Sequence, residues 1–173
     1  MRGARLCADA TMMGEETRVE PLNIVLVEPE IPQNTGNIAR TCACLGARLH
    51  LVEPMGFRLG ERFVKRAGCD YWDRTEIVRW PCSEAFFEAH GHDEVHLFTG
   101  HARRLYTDAS YEQGCYLVFG RESRGLDAAF LDRFASSCVR IPMREGLRSL
   151  NLSNAVALGA YEAARQAGFP GLV

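Results

Sequence analysis

Short apolar runs alternate with helix-like segments along most of this chain. Residues 23–27 form a continuous run of the kind found in a parallel strand covered on both faces. Further strands are predicted at residues 48–52, 76–79, 94–99, 115–119 and 138–143. Helices are predicted at residues 36–45, 61–67, 83–89, 126–134 and 155–166. The alternation predicts an α/β fold, with a mostly parallel sheet and helices on both faces.

The length favours one domain over two. A chain of 173 residues and 19.3 kDa can fill a single core. Residues 1–20 carry no clean apolar core, so they are predicted to be an N-terminal extension, either a disordered tail or a stretch before alternative starts at Met12 and Met13. Residues 21–173 are predicted to form the domain. No run is long enough to span a bilayer, so no membrane partner is expected.

The charged residues leave RNA open as a partner. The net charge is -2, yet the chain has 20 basic residues, of which Lys65 is the only lysine. Arginine suits planar, bidentate contacts with phosphate. Between Arg58 and Arg74 the basic residues are interleaved with Phe63, Tyr71 and Trp72. That mixture fits either a solvated face with apolar anchors or a surface that contacts an RNA backbone.

The cysteines and histidines indicate neither disulfides nor a metal site. Seven cysteines are an odd number and lie scattered through apolar segments, which is typical of buried thiols in a reducing cytosol. Cys42 and Cys44 are two residues apart on a predicted helix and therefore point in different directions. The five histidines form no helical metal motif. A cytoplasmic protein without a metal is expected.

Three loops combine an unusual number of polar groups with positions at the carboxyl ends of predicted strands. They are residues 28–37, which lead into Arg40, residues 120–126 and residues 149–154. In open parallel sheets, ligands bind beyond the carboxyl ends of the strands. Gly120, directly after a strand, would allow a ligand to approach bare backbone. Each of the three loops is therefore a candidate ligand-binding loop at this edge of the sheet.

Each loop also has a simpler structural explanation. Asn34 or Thr35 could cap a helix, and so could Ser153 or Asn154. The charged residues around Glu122 could form an ordinary solvated ion pair. The sequence lacks the glycine patterns of dinucleotide and triphosphate loops and the serine elbow of the hydrolases.

Together, the three loops resemble the three motifs of the SPOUT superfamily of RNA methyltransferases. The matching segments are residues 34–40, residues 119–126 and residues 141–156, in the family's order and spacing. The resemblance spans residues 22–173. The small size and residues 28–32 are similar to one branch, the tRNA (cytidine/uridine-34)-2'-O-methyltransferases. Gln33 departs from that branch, whose members often have a second proline at this position.

The resemblance implies a fold and an assembly that periodicity does not reveal. The C-terminal third is expected to form a deep trefoil knot, although knots are rare exceptions to the rules of chain threading. A homodimer is expected, with the knot region and the last helix at its interface. The helix residues implied there are Ala155, Val156, Leu158 and Tyr161.

The resemblance also implies a reaction and a cofactor. S-adenosylmethionine would donate a methyl group to a ribose 2'-hydroxyl of tRNA, leaving S-adenosylhomocysteine, with no metal. Arg40 would accept or organise the hydroxyl proton, or would orient a phosphate or the hydroxyl. The implied catalytic set is completed by Asn34, Glu122, Ser149 and Asn151. The implied cofactor contacts are Phe98, Thr99, Gly120, Ile141 and Ser149.

Other functions remain compatible with these residues. The same chemistry could act at another position of tRNA or ribosomal RNA, because surface residues rather than the motifs choose the target. A non-catalytic RNA-binding module of the same fold is a second alternative, and a generic nucleotide-binding domain is a third.

Overall fold

The computed structural model describes residues 20–58 and 71–173. Within them, six strands form one sheet in the order β3-β2-β1-β5-β4-β6, and every pairing is parallel. The strands are β1 (Asn23–Val27), β2 (Arg48–Val52), β3 (Ile77–Trp80), β4 (Val95–Phe98), β5 (Tyr116–Phe119) and β6 (Cys138–Val139). The helices are α1 (Pro32–Leu45), α2 (Ser83–His90), α3 (Ala128–Arg133) and α4 (Leu152–Gln166).

The sheet has a hydrophobic core on each face. Ile24 and Leu26 of β1 pack in one core with the buried faces of α1 and α4. Val25 and Val27 point to the other face and pack in a second core that includes Phe86 of α2. This division follows from the alternation of side chains along a strand. The predicted α/β class, with helices on both faces of a parallel sheet, is confirmed.

The strand order brings the three polar loops together. From β1 the chain adds β2 and β3 on one side of the sheet, whereas β5, β4 and β6 lie on the other. Leu26 is in register with Phe119, Phe119 with Phe98, and Phe98 with Val139, so four neighbouring strands end at one level. The loops after β1, β5 and β6 therefore leave the same edge, at the point where the strand order reverses.

Helix α1 begins four residues earlier than predicted. It starts at Pro32, and the residue before it, Ile31, provides no side-chain cap. Proline is well suited to the first helical turn because that turn needs no N–H from it. Asn34 and Thr35 therefore lie inside the helix, and the prediction that either of them caps it is wrong.

The ends of other elements also differ from prediction. Helix α4 begins at Leu152, three residues early, and its cap is Asn151 rather than Ser153 or Asn154. Strand β6 ends at Val139, because the Arg140 N–H donates to Arg104 O and the Arg140 carbonyl accepts from Tyr106 N–H. The helix predicted at residues 61–67 and the extension predicted at residues 1–20 fall outside the described residues, except for Glu20. The trefoil knot stays a prediction.

Candidate active site

The Glu122 carboxylate joins the loop after β5 to the start of α1. One oxygen accepts the Glu30 N–H at 2.8 Å, and the other accepts the Ile31 N–H at 3.2 Å and the Asn34 side-chain amide at 3.0 Å. The backbone N–H groups at a helix start lack partners within the helix and carry partial positive charge. A carboxylate from a residue about 90 positions away in the chain thus takes the place of a local cap.

The same contacts continue into the loop before α4. The Asn151 side-chain amide donates to the Asn34 Oδ1 at 2.9 Å, and the Asn151 Oδ1 accepts the Ser153 N–H at 2.9 Å. An ionised carboxylate can only accept and a backbone N–H can only donate, so both amide orientations are determined. Glu122, Asn34 and Asn151, one residue from each motif, therefore form a hydrogen-bonded relay.

A second clasp holds the same two loops together. The Glu30 carboxylate accepts the Ser123 N–H at 2.9 Å and its hydroxyl at 2.7 Å. These hydrogen bonds hold the pKa of Glu30 below its usual value. Arg121 pairs with Glu28 at 3.1 Å and with Asp127 at 2.5 Å. Arg121 thus forms ion pairs, as suggested for this loop, whereas Glu122 takes no part in them and bonds the start of α1.

The side chains predicted for the cofactor lie at the ends of β4, β5 and β6. The rings of Phe98 and Phe119 stack with centroids 4.4 Å apart. The Thr99 N–H donates to Val139 O at 2.9 Å, and Ile141 packs partly buried against the core beneath. Phe98 and Thr99 therefore lie at one edge of the sheet, and Ile141 follows the end of β6 at the same edge.

The need for glycine at position 120 comes from the protein itself. A Cβ atom there would collide with the backbone of Gly125 and Leu126, which folds back over Gly120. Arg121 and Gly125 exchange backbone hydrogen bonds of 3.2 and 2.8 Å that close this turn, and Gly125 has a φ of 72°. The glycine is therefore required by the turn, and its contact with the cofactor stays a prediction.

Arg40 and Ser149 are exposed, unlike Asn34. Arg40 lies six residues beyond Asn34 on α1, which places it about 9 Å further along the axis and about 120° around it. Its guanidinium carbon lies 5.0 Å from the centre of the Tyr71 ring. Ser149 lies in the loop before α4, two residues from Asn151. The relay and Arg40 therefore occupy different sides of α1.

The sequence prediction assigns no role to several residues of this region. Glu30 and Ser123 belong to the predicted loops without a function of their own, and Gly159 of α4 is not among the predicted site residues. A Cβ atom at Gly159 would lie 2.7 Å from the tip of the Phe98 ring. A glycine inside a strongly helical segment was the available signal, because such a residue usually has a packing reason.

Among the described residues, no group of three or more His, Cys, Asp or Glu side chains could hold a metal ion. Nor does this part of the chain contain a helix with the length and apolar character needed to cross a bilayer.

A sequence profile described as the SpoU rRNA Methylase family matches residues 21–161, which include the whole Glu122–Asn34–Asn151 relay. The chain belongs to the SpoU rRNA methylase family. This membership confirms the resemblance to RNA methyltransferases that the three motifs carry.

Curated relatives match the SpoU-family chain over most of its length. The tRNA (cytidine(34)-2'-O)-methyltransferase of Escherichia coli (strain K12) is 49% identical over 153 residues, covering 88% of this chain and 98% of that protein. The protein of the same name from Burkholderia pseudomallei (strain 1106a) is 50% identical over 152 residues, covering 86% and 97%.

Solved structures share the fold. One, described as giving structural insights into the 2-OH methylation of C/U34 on tRNA, has a TM-score of 0.81 and 44% identity, covering 87% of this chain and 98% of that chain. The SpoU methyltransferase AviRb from Streptomyces viridochromogenes, in complex with the cofactor AdoMet, has a TM-score of 0.74 and 25% identity, covering 87% and 59%.

Proposed function

We propose that this SpoU-family chain methylates the ribose 2'-hydroxyl of nucleotide 34 of tRNA, a cytidine or a uridine, with S-adenosylmethionine as donor. The observation that carries the proposal is the relay from Glu122 through Asn34 to Asn151, which ties all three motifs into one site. The relatives of that name, which match nearly their whole length at 49% and 50% identity, support the choice of target.

The edge formed by β4, β5 and β6 fits S-adenosylmethionine. Its walls are largely apolar or bare backbone, from Phe98, Gly120 and Ile141. Such walls suit an adenine and a methionine chain, with backbone groups of Thr99 and its neighbours available to read the adenine edge. When bound, S-adenosylmethionine supplies a methyl group already activated on a sulfonium, so no metal is required.

The polar residues position the acceptor ribose. The relay holds the start of α1 and the start of α4 at fixed places, and exposed Ser149 next to it can donate to the incoming nucleotide. Arg40 places a guanidinium near the RNA, where it organises the 2'-hydroxyl or the adjoining phosphate. Holding the hydroxyl oxygen in line with the methyl group accounts for much of the expected rate gain.

The proposal includes a homodimer in the cytoplasm. Leu158 and Tyr161 of α4 are 43% and 46% exposed, and Phe169, just beyond the helix, is 41% exposed. Large apolar side chains clustered on one surface are typical of protein interfaces. A second copy packed on α4 would bury them and would bring its own Arg40 towards the shared region.

The decisive experiment is to map 2'-O-methylation in tRNA from cells that lack the protein. Loss of the methyl group at position 34, restored by the wild-type chain and not by Arg40→Ala, is the expected result. Arg133→Ala, which removes an exposed arginine from the other face of the sheet, should restore it.

Binding measurements separate the alternatives. Calorimetry should detect S-adenosylhomocysteine binding with the same affinity for wild type and Arg40→Ala. If cells that lack the protein lose methylation at another RNA position instead, that position is the target. An absence of cofactor binding would leave the non-catalytic RNA-binding module in its place.

A further inference from the structure

Tyr71 covers the guanidinium of Arg40. The guanidinium carbon lies 5.0 Å from the ring centre, within the range of a cation–π contact. Arg40 is exposed on α1, and a long arginine side chain has many accessible rotamers. A ring face over the charge restricts those rotamers without occupying the N–H groups that point away from the ring.

The turn that carries Tyr71 is fastened to the helix beside Arg40. The Thr75 hydroxyl lies 2.9 Å from the carbonyl oxygen of Ala39, the residue before Arg40, and 2.9 Å from that of Tyr71. A short 3-10 turn, Trp72–Arg74, connects the two, with the Arg74 N–H donating to Tyr71 O at 3.0 Å. Trp72 packs against the core. The ring therefore sits where the fold holds it.

We propose that Tyr71 is a positioning residue that holds the Arg40 guanidinium in the place from which it orients the RNA. The ring face attracts the guanidinium and so favours the side-chain rotamers that keep the guanidinium over the ring. The new O–CH3 bond forms as the S–CH3 bond breaks, and the hydroxyl proton passes to water. This inference rests on the function proposed above.

The test compares Tyr71→Phe with Tyr71→Leu in steady-state methylation of tRNA. Tyr71→Phe keeps the ring and should retain nearly full kcat. Tyr71→Leu keeps apolar volume without a π face and should lower kcat about fivefold or more, since misplacement of a positioned group is costly. Cofactor affinity and thermal unfolding of both variants should match wild type.

The kinetic pattern decides between roles. If Tyr71 only contacted the RNA, Tyr71→Leu would raise KM and leave kcat unchanged. If the ring did not position Arg40, Tyr71→Leu would leave both kcat and KM unchanged. Either outcome overturns the inference.

The activities of the wild-type chain and the single variants separate this inference from the proposed function. A wild-type chain that fails to methylate tRNA refutes the function itself. A functional chain in which Arg40→Ala is inactive while Tyr71→Leu is fully active refutes only the role of Tyr71.

Discussion

At the scale of single residues, Glu122 shows why a carboxylate and an amide are not interchangeable here. Its two oxygens accept three N–H groups, from Glu30, Ile31 and Asn34. A glutamine has one oxygen and one NH2 group, so its NH2 group would point at an N–H group that needs an acceptor. The orientation of Asn34, and through it that of Asn151, depends on the oxygen that also accepts the Ile31 N–H.

We expect Glu122→Gln to lower the free energy of unfolding by about 0.5–1.5 kcal/mol, the usual net contribution of a hydrogen bond, because Glu122 is only half-buried. Methyl transfer should fall further than stability alone explains, because the relay loses its fixed direction. Urea unfolding and single-turnover methylation measure the two effects.

Glu88→Gln is the matched control for this change. Glu88 is exposed on α2, so the same substitution there should leave both quantities unchanged. Equal stability of Glu122→Gln and wild type would contradict the capping role of the carboxylate.

At the scale of elements, Gly159 sets how closely α4 approaches the sheet. A Cβ atom at this position would lie 2.7 and 3.0 Å from two atoms of the Phe98 ring and 3.4 Å from Phe119. Phe98 cannot turn aside freely, since it is stacked on Phe119 in the core. Glycine has a low helix propensity, but at this position it allows the helix to pack closely on the rings of Phe98 and Phe119.

Gly159→Ala should destabilise the protein by about 1–3 kcal/mol, the typical cost of overpacking a core. On an exposed helix the same change would stabilise by up to about 1 kcal/mol. In a Phe98→Leu background the clash is removed, and Gly159→Ala should then be neutral or stabilising. Urea unfolding of the wild type, the two single variants and the double variant gives the coupling energy between the two positions. A stabilising effect of Gly159→Ala in the wild-type background would contradict the close approach of α4 to Phe98.

Periodicity predicted the type and order of the described helices and strands and the start of α2 at Ser83, but it placed the starts of α1 and α4 too late. The start of α1 at Pro32 depends on Glu122, about 90 residues away, and no local pattern encodes that partner. Asn151 caps α4 through a side chain that also bonds Asn34. The partner that fixes the start of α1 is therefore distant in the chain, whereas the cap of α4 is local, because Asn151 accepts the Ser153 N–H.

At the scale of the whole molecule, the strand order decides which loops share a site. The sequence predicted six strands, but their order across the sheet depends on packing that alternation does not specify. The order places β5, β4 and β6 on one side of β1 and thereby joins three motifs that span more than 110 residues of chain, from Asn34 to Asn151. The resemblance to the three family motifs implied that the loops form one site. The strand pattern alone predicted only that the three loops lie at the same edge of the sheet.

The last prediction concerns the surface of α4. This helix is capped by Asn151, a member of the relay, and presents Leu158 and Tyr161 to solvent further along. If a second copy covers those side chains, a charge placed among them must be buried without a partner. Leu158→Glu should therefore raise the dimer dissociation constant at least about 100-fold. Analytical ultracentrifugation should show a folded monomer, and methyl transfer should fall with the dimer fraction.

Ala89→Glu adds the same charge at an exposed position of α2, on the other face of the sheet, and should leave both dimer and activity intact. The comparison is informative because Asn151 and the apolar surface belong to the same helix. A second copy that packs against the middle of α4 would also restrict the motion of Asn151 at its start. A Leu158→Glu protein that remains a dimer would place the interface elsewhere. A fully active monomer would show that one copy of the relay suffices for methyl transfer.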